Sequence, residues 1–240
     1  MSTDRDQPSV SIPSGRVILE GLLGIPTNAL GIVVFSHGSG SGLRSPRNQF
    51  VAEHLQSVGF ATLLLDLLTT QEDLDYERRF DIELLTQRLG DAVRFVRGHT
   101  TSRSLPVGLF GASTGAASAL RVAALFPTEV KVVVSRGGRP DLAGEGTLQK
   151  VRAATLLIVG GRDGQVIELN EAAHRMLRCE KRIAIVPGAT HLFPEAGALE
   201  TVAQLATDWF LRHLPEEAVA SPRGGPANDN TTDGAVQPRE

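Results

Sequence analysis

Six short apolar runs, regularly interrupted by helical patterns, restrict what this chain can fold into more than any other feature. They are GIVVFS (31–36), ATLLLDLL (61–68), PVGLFG (106–111), VKVVVS (130–135), ATLLIVG (154–160) and RIAIVP (182–187). Their Val, Ile and Leu do not alternate with polar residues, as expected of parallel strands covered on both faces. Between them, Ile82, Leu85, Leu89, Val93 and Val96 recur at helical spacing, which predicts an amphipathic helix of several turns. Further helices are expected after Pro46 and over 114–125, 167–177 and 199–214. Strand and helix alternate throughout, so the fold class is α/β with a mostly parallel central sheet. Right-handed crossovers then place helices on both faces. Residues 17–23 predict an antiparallel edge strand.

The expected organisation is an N-terminal segment (1–15), one catalytic-sized domain (16–215) and a polar, disordered tail (216–240). No connection is long enough for a large lid domain; the longest is 69–79. A net charge of −3 gives no electrostatic case for binding nucleic acid or an anionic membrane. One cysteine, Cys179, excludes an internal disulfide and a multi-cysteine zinc site. The opening residues lack a signal-peptide pattern and no apolar stretch reaches membrane-spanning length, so a cytoplasmic protein is expected.

Chemistry enters at Gly111-Ala112-Ser113-Thr114-Gly115. A G-x-S-x-G is weak alone, but here a strand pattern precedes it and a helix pattern follows. A serine on that turn is exposed beside the free N–H groups of a helix N-terminus. The competing reading is a helix N-cap serine. Asp163 and His191 each follow a strand run in a short loop, in the order Ser, Asp, His that such a nucleophile requires. Ser113 is therefore the expected nucleophile, His191 the base and Asp163 the acid that orients it. The oxyanion donors are expected to be the backbone N–H groups of Thr114 and of Ser39, in the glycine loop His37-Gly38-Ser39-Gly40.

That glycine loop, followed by Asp66, also imitates a dinucleotide site, but position 43 is Leu where the third glycine belongs. The histidines are scattered, so neither a metal site nor a cofactor is expected. Arg44 and Arg47 follow the glycine loop, and Arg136 and Arg139 follow VKVVVS. An anionic substrate group is expected on Arg136, with Arg44 or Arg47 assisting. The alternative is that these arginines are solvated or paired internally, for example with Asp141.

The segments HGSGSG, GLFGASTG, LLIVGGRDGQV and PGATHLF resemble the dienelactone hydrolase-like branch of the α/β-hydrolase superfamily. The resemblance covers roughly residues 17–214 and implies the α/β-hydrolase fold. It also implies Ser113, Asp163 and His191 as the triad, and Ser39 and Thr114 as oxyanion donors. Dienelactone hydrolases carry a cysteine nucleophile where this chain has Ser113. The expected activity is hydrolysis of a small or medium carboxylic ester, lactone or thioester, its partner being that small molecule. A non-catalytic ligand-binding protein on the same scaffold is the alternative.

Overall fold

Strand propensity and two-sided burial coincide in the apolar runs, and they build a single sheet. The computed structural model describes residues 8–214. Its strands are β1 (Ser9–Ser14), β2 (Val17–Gly24), β3 (Ile32–Ser36), β4 (Ala61–Leu65), β5 (Val107–Ala112), β6 (Val130–Arg136), β7 (Ala154–Gly160) and β8 (Lys181–Val186). They lie in the order β1-β2-β4-β3-β5-β6-β7-β8. β1 and β2 run antiparallel to each other, and β2 runs antiparallel to β4. Every pairing from β4 to β8 is parallel. All five residues of β3 and of β4 are buried, as are all six of β5.

The helices are α1 (Pro46–Ser57), α2 (Thr70–Asp73), α3 (Ile82–Gly98), α4 (Thr114–Leu125), α5 (Glu145–Leu148), α6 (Gly164–Met176) and α7 (Ala198–His213). They divide the core into two layers. Leu85, Leu89 and Val93 of α3, Leu120 of α4 and Ala173 of α6 pack against one face of the sheet. Val51 and Leu55 of α1 and Val202 and Phe210 of α7 pack against the other. No helix among the described residues is long and apolar enough to cross a membrane.

Two sequence expectations are corrected. The N-terminal segment does not stand apart: within 1–15, Ser9–Ser14 pair with β2, and Ile12 is fully buried. β2 is consequently an inner strand and β1 the edge. β1 eluded sequence reading because SVSIPS is short, polar and contains Pro13, which an edge strand tolerates. The 69–79 connection, the longest, contains the short helix α2. Thr69 caps α2 in a reciprocal capping box with Glu72, and Glu72 accepts two hydrogen bonds from Arg88 of α3. The expected tail, 216–240, lies outside the described residues.

Candidate active site at the carboxyl edge of the sheet

The parallel strands β3, β5, β6, β7 and β8 all end on one edge, and the loops leaving them carry the candidate residues. Ser113 joins β5 to α4 with φ +50° and ψ −122°, a region that side-chain-bearing residues rarely occupy. Its side chain makes no cap hydrogen bond with α4, so the N-cap reading fails. The backbone is held from both sides, Ser113 N–H donating to Arg136 O and Ser113 O accepting from Arg139 N–H. The surrounding structure thus imposes the strained turn.

The flanking glycines are required by close approach. A Cβ at Gly111 would lie 2.6 Å from Ala116 Cα, and one at Gly115 would run into the Ser36 carbonyl oxygen. Any larger residue would push α4 away from β3 and flatten the turn. Gly38 meets Ser113 directly, since a Cβ there would lie 2.8 Å from Ser113 Cβ.

Asp163 and His191, 28 residues apart in sequence, meet through a 2.6 Å hydrogen bond between Asp163 Oδ2 and His191 Nδ1. The bond leaves Nε2 as the free ring nitrogen. The imidazole packs on Gly137, a Cβ at which would lie 3.5 Å from Cε1 and Nδ1. Gly137 adjoins Arg136, whose carbonyl accepts the Ser113 N–H. His191 therefore stands beside the turn that carries Ser113. The Asp163 loop is itself fixed by Arg162 N–H on Ala189 O and Gly161 N–H on Val186 O.

The two expected oxyanion donors also adjoin. Ser39 N–H donates to Thr114 Oγ1 at 3.2 Å, which brings the glycine loop against the first residue of α4. The Thr114 N–H, at that first position, has no acceptor within its own helix. Asp66, offered above as a dinucleotide ligand, instead accepts the Leu43 N–H at 2.7 Å. It pins the glycine loop to the end of β4.

Sequence reasoning overlooked the role of His37. Its ring is buried, with Nδ1 donating to Gly38 O at 2.9 Å and Nε2 accepting from Leu67 N–H at 2.8 Å. Burial pushes its pKa below the ordinary histidine value, outweighing the Gly38 hydrogen bond and the fields of Asp66 and Asp73. A neutral imidazole with the proton on Nδ1 satisfies both bonds. It ties the glycine loop to the segment after β4. The signal available in sequence was a histidine directly before the glycine loop.

The arginines separate into three situations. Arg139 forms a two-pronged pair with Asp141, so for it the internal-pairing alternative holds. Arg44 is exposed at the rim of a cleft of about 500 Å³ whose wall also includes His37, Gly40, Ser45, Arg47 and Asp66. Neither Ser113 nor His191 belongs to that wall, so the cleft opens beside the glycine loop rather than over Ser113. Arg136 is buried, and Arg47 is half-buried near it.

A family model described as the dienelactone hydrolase family matches residues 19–214. Mycobacterium tuberculosis proteins whose name is that of a phosphoribosyl transferase, from two strains, are 53% identical over 210 residues. The match takes in 88% of this chain but 47% of theirs, so the chain spans about half the length of these relatives. A crystal structure of a dienelactone hydrolase from Anabaena variabilis is 53% identical, with a TM-score of 0.84, over 86% of this chain and 97% of that one. An α/β serine hydrolase without a lid from Xanthomonas campestris shares the fold at 17% identity. Its TM-score is 0.72, over 90% of this chain and 99% of that one.

Proposed function

The chain belongs to the dienelactone hydrolase family, and from that premise we propose that it is a serine hydrolase of small or medium carboxylic esters, lactones or thioesters. One observation carries the reading: Ser113 is held on a strained strand-to-helix turn beside a histidine oriented by a carboxylate at 2.6 Å. Such a geometry suits acyl transfer. His191 Nε2 takes the proton of Ser113 Oγ as the oxygen attacks the carbonyl carbon. The tetrahedral oxyanion forms against the N–H groups of Thr114 and Ser39, Ser39 exchanging its bond to Thr114 Oγ1 for one to substrate. His191 then returns the proton to the leaving oxygen or sulfur as its bond to the acyl carbon breaks. Water, deprotonated by the same nitrogen, attacks the acyl-enzyme, and His191 passes that proton to Ser113 Oγ as its bond to the acyl carbon breaks, releasing the acid. Asp163 holds the imidazole and stabilises its cationic form without accepting its proton. The transferase in the name of the Mycobacterium relatives is said of proteins about twice as long, whereas the hydrolase family model spans 19–214 here.

Labelling with a fluorophosphonate probe, followed by mapping of the modified peptide, tests the assignment. The label is expected on Ser113, and Ser113→Ala is expected to lose about 10⁶ in kcat on an activated ester, with Asp163→Asn losing less. A label on another residue, or a Ser113→Ala variant keeping more than about a tenth of the activity, would overturn it.

A further inference from the structure

His191 sits in the connection between β8 and α7, which runs between two left-handed glycines, Gly188 (φ +73°) and Gly197 (φ +76°). Glycine gives such points little resistance to rotation, so the course of the loop depends on what holds it in between. Within it, Phe193 N–H donates to Thr190 O at 3.2 Å, closing a tight turn whose two central residues are His191 and Leu192. Burial fixes the trailing end of this turn. Phe193 is 2% exposed and takes φ +57°, a conformation that a bulky residue keeps only where its surroundings impose it.

The leading end is held by Glu195. Thr190 N–H donates to both Glu195 carboxylate oxygens, at 3.1 Å each, and Thr190 Oγ1 donates to Oε1 at 2.7 Å. The carboxylate thus meets the backbone and the side chain of the residue just before His191. The hydroxyl's bond above all, against some loss of solvation, holds the Glu195 carboxyl below the ordinary carboxylate range, and the Arg162 guanidinium adds to it. Arg162 directly precedes Asp163, so the cation near Glu195 belongs to the loop that carries the acid. β7 offers no brace of its own at this point. Gly160 lies under Thr190, where a Cβ would come within 2.6 Å of Thr190 O.

The imidazole itself is tied through Nδ1 to Asp163. A single hydrogen bond lets the ring pivot about that nitrogen, so the turn decides where Nε2 lies. We propose that Glu195 is a positioning residue: by gripping Thr190 it holds the turn that carries His191, and so keeps Nε2 aimed at Ser113. The proposal rests on Ser113 and His191 forming the acyl-transfer pair. Proton transfer demands close placement of donor and acceptor, and a displacement of about 1 Å can cost about 10²-fold in rate.

The test uses Glu195→Ala, Glu195→Gln and Thr190→Val, with p-nitrophenyl butyrate as substrate and a fluorophosphonate probe. Glu195→Ala is expected to lower kcat about 10- to 100-fold with KM nearly unchanged. Its Ser113 is expected to label more slowly by a similar factor, yet to the same final extent as in wild type. Glu195→Gln retains an acceptor oxygen for Thr190 and is expected to recover most of the rate. Thr190→Val keeps the backbone bond and loses the hydroxyl's, so its kcat is expected between those of Glu195→Ala and wild type. Proton NMR reads the histidine directly: the low-field Nδ1 proton of the His191–Asp163 bond is expected to shift or broaden in Glu195→Ala and to return in Glu195→Gln.

A kcat in Glu195→Ala within about twofold of wild type overturns the proposal. So does a loss that follows the final extent of labelling and not its rate, which would mean a smaller folded fraction. A loss that Glu195→Gln shares in full would assign the effect to charge and likewise overturns it. If Glu195→Ala does not fold, Thr190→Val decides, and a wild-type labelling rate and kcat there overturn the proposal. Failure of the hydrolase reading shows separately, as Ser113→Ala retaining activity on the butyrate or as a label on another residue.

Discussion

His37 uses both ring nitrogens to hold the loop that brings Ser39 against Thr114. Its burial has a thermodynamic consequence with a definite sign. The folded state keeps the ring neutral, with a pKa below the ordinary 6.5, while the unfolded chain protonates it as pH falls through that value. The unfolded state then binds more protons, so folding stability is lost as pH drops below 6.5, by at most about 1.4 kcal/mol per pH unit from this residue. His37→Gln cannot titrate, so its unfolding free energy should fall less steeply over the same acid window. Parallel slopes for variant and wild type in denaturant titrations would show that His37 is already charged in the fold. His37→Gln is also expected to lower kcat more than it raises KM, because a misplaced oxyanion donor weakens the transition state above all. At this scale, residue type and spacing sufficed to mark Ser113, Asp163 and His191 as candidates, of which the structure brings Asp163 and His191 into contact. They could not mark His37 or the isolation of Arg136, because a side chain's partners come from distant segments.

At the scale of elements, the connection between β4 and α3 is tied to α3 by the Glu72–Arg88 ion pair. Glu72 accepts from Thr69 at its own cap and from both terminal nitrogens of Arg88, which is itself buried. Burial alone would raise the Glu72 carboxyl, but the bonds from Arg88 and Thr69 outweigh it and hold it at about 2. The fold therefore gains from this carboxylate fully above the ordinary value of 4.5, and the gain disappears as pH falls towards 2. Glu72→Gln should lower the melting temperature above pH 4.5, the difference from wild type shrinking with acidification and closing near pH 2. A difference unchanged across that range would mean that the substitution acts through shape or hydrogen bonding and not through the charge of Glu72. Periodicity revealed α3 from its apolar positions. The four-residue α2 is too short for any periodicity to register, and it depends on the cap and on Arg88 from another helix.

On the scale of the whole molecule, β1 closes the antiparallel end of the sheet and buries Ile12. Ser14 additionally donates to Asp91 of α3. Burying an isoleucine contributes about 1.5–3 kcal/mol, and a domain of this size shifts about 2–4 °C per kcal/mol. Deleting residues 1–14 should therefore lower the melting temperature by about 5 °C or more, measured by circular dichroism; an unchanged transition would show that β1 adds nothing. By itself the sequence determined the alternation of strand and helix, the parallel core and the strand ends at which Ser113, Asp163 and His191 stand. These follow from local apolar runs, turn residues and motif order, which are properties of contiguous chain. Tertiary structure alone decided that β1 joins the sheet, that Asp66 and His37 staple the glycine loop, and that Nε of Arg136 and of Arg47 is buried without a hydrogen-bond partner among the described residues. Hydrogen-bond and charge partners are set by which segments the crossovers bring to one edge, and no local pattern encodes that meeting.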